Sequence, residues 1–171
     1  MGFLDKLFGP KKPAKPEAIK VVAEPCAIYA PAAGKVEPMD SLPDPVFASG
    51  VMGPCLGVWP EDGNVYAPVA GTITAAMPHA FGFDGLDGIE VLIHVGVDTV
   101  NMKGDGFTVH VKQGDHVVAG DPILTFDKGK VAKAGYADVV MTIVTNADDF
   151  HECTPVGAGT VTVGSKLFQI A

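Results

Sequence analysis

The sequence predicts an all-β protein, a sandwich or barrel of short antiparallel strands carrying an internal duplication. Three observations lead there. From Val21 onward, short runs rich in Val, Ile and Thr alternate with Gly, Pro and Asp-Gly punctuation. Turn signals recur roughly every 8–12 residues, the spacing of a sandwich or barrel. And Ile28–Val36, IYAPAAGKV, is echoed 37 residues later by Val65–Ile73, VYAPVAGTI. The echo reads as a duplicated strand–turn–strand unit packed with pseudo-twofold symmetry. The proline in each copy has no N–H for a central ladder, so it should mark a sheet edge or a strand start.

The elements follow in chain order. Residues 1–8, MGFLDKLF, predict one or two turns of amphipathic helix, with Phe3, Leu4, Leu7 and Phe8 on one side and Asp5 and Lys6 on the other. Residues 3–8 suit a weak membrane-surface contact, with Lys11, Lys12 and Lys15 drawn to anionic lipid. PKKPAKP, with three prolines in seven residues, is a linker. Residues 1–20 are therefore assigned to an N-terminal segment and linker, and 21–171 to one compact domain. In that domain NVYAPVAGTITA, GIEVLIHVGV, FTVHVKQGDHVVAGDPILTF, ADVVMTIVT and GTVTVGSKLFQI read as strands or hairpins. The one other helix candidate is a turn around Ala147–His151.

Composition narrows the function. The chain holds 171 residues, 47% hydrophobic and 19% charged, enough for one domain with a real core. No apolar run approaches the roughly 20 residues of a membrane-spanning helix. No apolar core precedes a cleavage-like site, so no signal peptide is expected. Cys26, Cys55 and Cys153 are odd in number and lack CxxC spacing. That favours reduced thiols, a cytoplasmic setting and three small buried hydrophobes.

Net charge is −8, unevenly spread. Residues 1–20 hold five Lys against Asp5 and Glu17, while the remainder holds seven Lys against eighteen acids. An acidic body repels nucleic acid and attracts a basic partner. All twelve basic residues are lysine. Without arginine, and without a GxxxxGK[ST] loop, a nucleotide-hydrolysing or nucleotide-dependent kinase site is not expected.

The chemistry centres on two histidines fifteen positions apart. In GIEVLIHVGVDTV, alternation puts Ile89, Val91, Ile93, Val95 and Val97 on a core face and Glu90, Leu92, His94, Gly96 and Asp98 on the other. The second face is mixed and reads as a shallow surface depression, with Gly96 giving room beside the ring. Alternation from Ile73 places Ile73, Ala75, Met77 and His79 on a common side, with Pro78 ending the strand. A hairpin turning through Gly82–Gly88 would bring His79 to His94. Two adjacent imidazoles permit three kinds of work. They can bind a metal with Asp98 as a third ligand. They can serve as general acid and base. Or one can be a nucleophile and the other its electrostatic support. With no nucleotide loop, a phosphoryl donor for the nucleophile would be another phosphoprotein.

The stretches LPDPVFASGVMG, VYAPVAGTI, PHAFGF, GIEVLIHVGVDTVNMKGDGF, VKQGDHVVAGDPIL and VTVG resemble the glucose-family IIA component of the bacterial phosphoenolpyruvate-dependent sugar phosphotransferase system. MGFLDKLF resembles the start of its free-standing members, and the resemblance covers nearly the whole chain. It implies a phosphotransferase role in sugar uptake, on an all-β duplicated barrel-sandwich. His94 would accept the phosphoryl group on Nε2 and His79 would help hold it. Asp44, Val46, Phe47, Val51, Leu92 and Asp98 would form the docking surface and its acidic edge. The donor would be the phosphocarrier protein HPr, and the acceptor a cysteine of a sugar-specific IIB domain. No cofactor is implied, and any zinc at His79 and His94 would be adventitious or regulatory.

Two departures stand out. Met77 occupies the place where the family has Thr two residues before the first histidine, and Met cannot make the hydroxyl's hydrogen bond. Gly53–Cys55 reads GPC where the family commonly has Gly-Asp-Gly. His110, His116 and His151 are expected to be surface groups. Two other classes share parts of this pattern. VKQGDHVVAGDPIL also resembles the strand pair of biotinyl and lipoyl carriers, with Lys103 as the modified residue. Zinc endopeptidases of a related β fold need an HxH pair, which this chain lacks.

Overall fold

The structure is a computed structural model and describes residues 12–171. The amphipathic turns expected at residues 1–8, with their membrane contact, lie outside the described residues. Fourteen strands form: β1 (Ala27–Tyr29), β2 (Gly34–Pro38), β3 (Cys55–Pro60), β4 (Asn64–Tyr66), β5 (Gly71–Met77), β6 (Ala80–Gly85) and β7 (Glu90–Val95) in the first part. The second part holds β8 (Phe107–Val109), β9 (His116–Val117), β10 (Pro122–Phe126), β11 (Val140–Val144), β12 (Cys153–Pro155), β13 (Thr160–Val161) and β14 (Lys166–Ile170).

All pairings are antiparallel. One sheet runs β13-β2-β3-β11-β7-β6-β5-β9, and two smaller ones run β1-β14-β12 and β4-β10-β8. Their inner faces enclose one main core that includes Ile28, Val58, Phe81, Ile93, Leu124 and Phe168, each fully buried. The fold is the β-sandwich that the alternating runs predict.

The duplication is visible in hydrogen bonds. Tyr29 N–H donates to Pro68 O at 2.9 Å, and Tyr66 N–H donates to Pro31 O at 2.8 Å, so the two echoed segments clasp each other reciprocally. A second, fainter repeat supports each clasp. Gly120 N–H donates to Ala67 O while Gly164 N–H donates to Ala30 O. Asp121 Oδ2 accepts from Val118 N–H as Ser165 Oγ accepts from Thr162 N–H. VVAGD and VTVGS share too few letters to be seen as a repeat. Pro31 and Pro68 sit in the connections β1–β2 and β4–β5, just outside the strands where the sequence placed them.

Elsewhere the structure differs from the sequence reading in five places. The segment before β3, assigned to the docking surface with no element predicted, contains helix α1 (Pro45–Ala48), started by Asp44, whose Oδ1 accepts from Val46 N–H at 3.0 Å. A proline at the first helical position with an Asp cap is a sound local signal, but four residues are too few to show helical periodicity. Helix α2 (Lys128–Lys133) was missed for the same reason, and Asp127 caps it through Lys130 N–H. Cys26 and Cys153 are half-buried rather than sealed; Cys55 is buried as expected. His110 is also half-buried, its Nε2 2.8 Å from the Thr125 hydroxyl, whereas His116 and His151 are exposed. Ile19 N–H already reaches Gly120 O at 3.0 Å, so ordered contacts begin ahead of Val21.

A bulge in β5 corrects the remaining expectation. Ile73 pairs with Phe83, but Ala75 pairs with Gly82, so one extra residue lies between them. Beyond it the faces exchange. Ile73 stays in the core, Ala76 packs inward opposite Phe81, and Ala75 and Met77 turn outward. Ile73 and Met77 therefore lie on opposite faces. Pro78 and His79 form the tight β5–β6 turn, and β6 continues through Asp84, well into the segment read as the hairpin loop.

Candidate functional site

His94 lies on β7, one of the two central strands of the large sheet. Its core-side neighbours Val91, Ile93 and Val95 are buried, as alternation predicts, and His94 points to the outer face, half-buried. Its cross-strand partners are Ala80 on β6 and Met141 on β11. A methyl group on one side leaves room for the turn residue His79. The two imidazoles meet edge to face, with centroids 5.5 Å apart and planes at 75°.

On the other flank stands Phe47 of α1, its centroid 5.0 Å from that of His94. Phe47 is only 7% exposed. It packs with Leu42, Cys55, Val139, Met141 and Ile143 in a second small core outside the large sheet. Phe47 is thus a wall for the His94 ring more than accessible docking surface. Val46 and Val51 are exposed, at 52% and 77%, and Leu92 is half-buried on the His94 face. Asp98 is exposed and adopts a left-handed backbone, φ 60°, at the turn after β7.

One hydrogen bond decides the chemistry of His94. Its Nδ1 lies 2.9 Å from Gly96 O. A carbonyl only accepts, so Nδ1 must carry the proton, and in the neutral ring Nε2 keeps the lone pair. Among the described residues Nε2 has no hydrogen-bond partner. Burial lowers the His94 pKa below the ordinary histidine value, and His79 adds to this; the Gly96 bond and the charges of Asp44 and Asp98 oppose it. Burial likewise lowers that of His79. Both rings are therefore neutral at pH 7. The Cys55 thiol beneath is pushed up to about 12 by burial and then by Asp44, so it is inert as a nucleophile.

The loop after β7 is tied down densely. Val95 N–H donates to His79 O at 2.8 Å, and Gly96 N–H donates to Val139 O at 2.8 Å. Gly96 has φ 78°, and a Cβ there would come within 2.4 Å of Thr99 Cγ2 and 2.8 Å of Ala137 O. Thr99, 2% exposed, donates its hydroxyl to Val95 O. Sequence reasoning named Gly96 only as room beside the ring and missed Thr99, because nothing in DTV signals that its hydroxyl turns inward.

Several alternatives lose support here. Among the described residues no three His, Cys, Asp or Glu side chains converge, so Asp98 does not complete a metal set with the two histidines. Lys103 follows a single 3-10 turn (Thr99–Met102) with φ 54°, not the hairpin tip between paired strands that a carrier lysine needs. Two surface grooves of about 460 Å³ contain neither histidine. No helix among the described residues is long and apolar enough to cross a membrane.

Comparison with known proteins identifies the family. Residues 26–150 match the sequence profile of the family described as phosphoenolpyruvate-dependent sugar phosphotransferase system, EIIA 1. The chain is 46% identical over 145 residues to the "PTS system glucose-specific EIIA component" of Halalkalibacterium halodurans, covering 84% of this chain and 83% of that one. It is 39% identical over 144 residues to the "PTS system beta-glucoside-specific EIIBCA component" of Bacillus subtilis, spanning 83% of this chain but 23% of that larger protein. Among solved structures, glucose permease IIA from Mycoplasma capricolum superposes with a TM-score of 0.73 at 31% identity, over 83% of this chain and 93% of that one. With a profile match across most of its length and the same sandwich in a solved relative, the chain belongs to the EIIA 1 family of the phosphoenolpyruvate-dependent sugar phosphotransferase system.

Proposed function

We propose that this phosphocarrier of sugar uptake takes its phosphoryl group from phosphorylated HPr on Nε2 of His94 and passes it to a cysteine of a IIB domain. The observation that carries the reading is the His94 ring itself, its Nδ1 proton held by Gly96 O, which leaves the lone pair on Nε2, and the ring packed edge to face with His79. A neutral imidazole lone pair attacks phosphorus in line; the new N–P bond forms as the donor's bond to phosphorus breaks, and that electron pair stays with the donor. The Nδ1 proton need not move. His79 is placed to donate its ring N–H to an equatorial oxygen, where charge gathers in the transition state. The second transfer reverses these roles, with the IIB thiolate attacking and His94 leaving as the neutral ring.

A site on the outer face of the large sheet suits a protein donor, because two folded surfaces must meet around one phosphorus. Exposed Val46 and Val51, with Leu92 and Asp98, supply the apolar contact and its acidic edge. An acidic domain steers toward a basic partner. Relatives in which EIIA is joined to B and C parts, such as the EIIBCA protein, support IIB as the receiving partner. The test is reconstitution with phosphoenolpyruvate, the first enzyme of the system and HPr. One acid-labile phosphohistidine per chain, at His94, is expected, and it should discharge on addition of a IIB domain. No phosphohistidine, or one at another position, would overturn the reading.

A further inference from the structure

The ring of His94 is set to present Nε2 while Gly96 O stays on Nδ1, and that carbonyl belongs to the Gly96–Val97 peptide, whose N–H donates to Ala137 O at 3.1 Å. β7 ends at Val95, and Gly96 sits in the left-handed region with no side chain to hold it. On its other side the carbonyl's peptide hinges at Gly96 on the peptide between Val95 and Gly96. That peptide is gripped from both ends. Its N–H side is bound to Val139 O, and its C=O side accepts the Thr99 hydroxyl. The first grip is backbone and independent of sequence. The second depends on one side chain, buried to 2% exposure, whose methyl also fills the space that a Gly96 Cβ would need.

From this geometry we infer that Thr99 is a positioning residue for phosphoryl transfer: its hydroxyl fixes the Val95–Gly96 peptide and thereby the tautomer of His94. The inference rests on the phosphocarrier reading above for its consequence in rate, but not for its consequence in tautomer. The same peptide chain extends the effect to the second ring, since Val95 N–H holds His79 O. Removing the hydroxyl leaves Val95 O buried without a partner. The segment then gains by turning that peptide, and the turn passes through Gly96 to its carbonyl, against the hold of Val97 N–H on Ala137 O, drawing Gly96 O from Nδ1. The proton is released to either ring nitrogen, and a ring protonated at Nε2 has no lone pair to offer outward.

The experiment compares Thr99→Val, which keeps the shape and deletes the hydroxyl, with Thr99→Ser, which keeps the hydroxyl and deletes the methyl. Imidazole ¹⁵N NMR of the unphosphorylated full chain reads the His94 tautomer directly. Charging by phosphorylated HPr reads the rate. Wild type and Thr99→Ser should both show His94 protonated at Nδ1 and charge within a few-fold of each other. Thr99→Val should show mixed tautomers and charge roughly tenfold to a hundredfold more slowly. A folded Thr99→Val that keeps the wild-type tautomer overturns the inference. So does a Thr99→Ser that loses it, whether or not Thr99→Val folds, since packing alone would then be at work. Failure of wild type to charge at all would sink the phosphocarrier reading, while the NMR comparison would still decide the role of Thr99.

Discussion

Val95 N–H donates to His79 O across 2.8 Å, so the two site histidines are coupled through the backbone as well as through their rings. The residue that follows His94 in β7 thus anchors the turn that carries His79. Either side chain can be replaced without releasing that turn. Mutations at the two positions therefore report on chemistry rather than on collapse of the site.

His94→Ala should abolish phosphoryl uptake from phosphorylated HPr, because the nucleophilic nitrogen is gone. His79→Gln should still take up phosphate within about tenfold of wild type, since Nε2 of His94 is untouched, yet pass it to IIB about a hundredfold more slowly. Quenched-flow measurement of the two half-reactions separates them. Full charging of His94→Ala alongside failure of His79→Gln would mean the roles are exchanged.

The pH dependence follows from the lowered values of His94 and His79, burial being the leading cause for both. Below the ordinary histidine value, near 6.5, the unfolded chain takes up protons that the folded chain still refuses. In that window the unfolded state binds more protons, so stability falls as pH drops from about 6.5 toward the folded-state values and is level above. Urea midpoints measured from pH 8 to pH 5 should show the fall, and His94→Gln should lessen it, His79 and the similarly lowered His110 supplying the remainder. The charging rate, which needs the neutral ring, should stay level to a lower pH than a free imidazole would allow. A midpoint that climbs on acidification would contradict the sign.

What could be read from sequence depended on how far each signal extends along the chain. The β texture, the 37-residue echo and the two faces of β7 are patterns over many residues, and they were legible. The nearness of His79 and His94 was legible too, though for a partly mistaken reason. The bulge between Ile73 and Ala75 shifts Met77 to the outer face, and no residue type announces a bulge there. α1 and α2 are too short to show a helical period. The inward hydroxyl of Thr99 and the burial of Phe47 depend on packing against Val95 and the second core, which only the three-dimensional arrangement supplies.

Thr142 offers a stability test away from the phosphoryl site. It lies on β11 opposite Ile93, fully buried, and its hydroxyl has no partner. An unpaired buried hydroxyl costs about 1–3 kcal/mol, whereas valine has the same shape with nothing to satisfy. Thr142→Val should therefore stabilise by about 1 kcal/mol, raising Tm by about 2–4 °C, and leave charging unchanged. Calorimetry showing a loss would mean that the hydroxyl is bonded, through a buried water for instance. The same substitution type is predicted to have the opposite outcome at Thr99, where the hydroxyl is engaged.

Gly96→Ala tests the loop from the side of the ring. Two costs fall together. The left-handed φ of 78° disfavours any residue with a Cβ, and that Cβ would collide with Thr99 Cγ2 and with the backbone oxygen of Ala137. Thr99 could yield by rotating, but rotation removes its hydroxyl from Val95 O; the Ala137 carbonyl belongs to the segment leading into β11 and cannot move without disturbing the strand beside β7. A loss of about 2–4 kcal/mol in unfolding free energy is expected. Charging should fall further than stability explains, because any relief of the clash moves Gly96 O from His94 Nδ1. Measured under conditions where the variant remains fully folded, a charging rate equal to wild type would show that the carbonyl does not govern the ring.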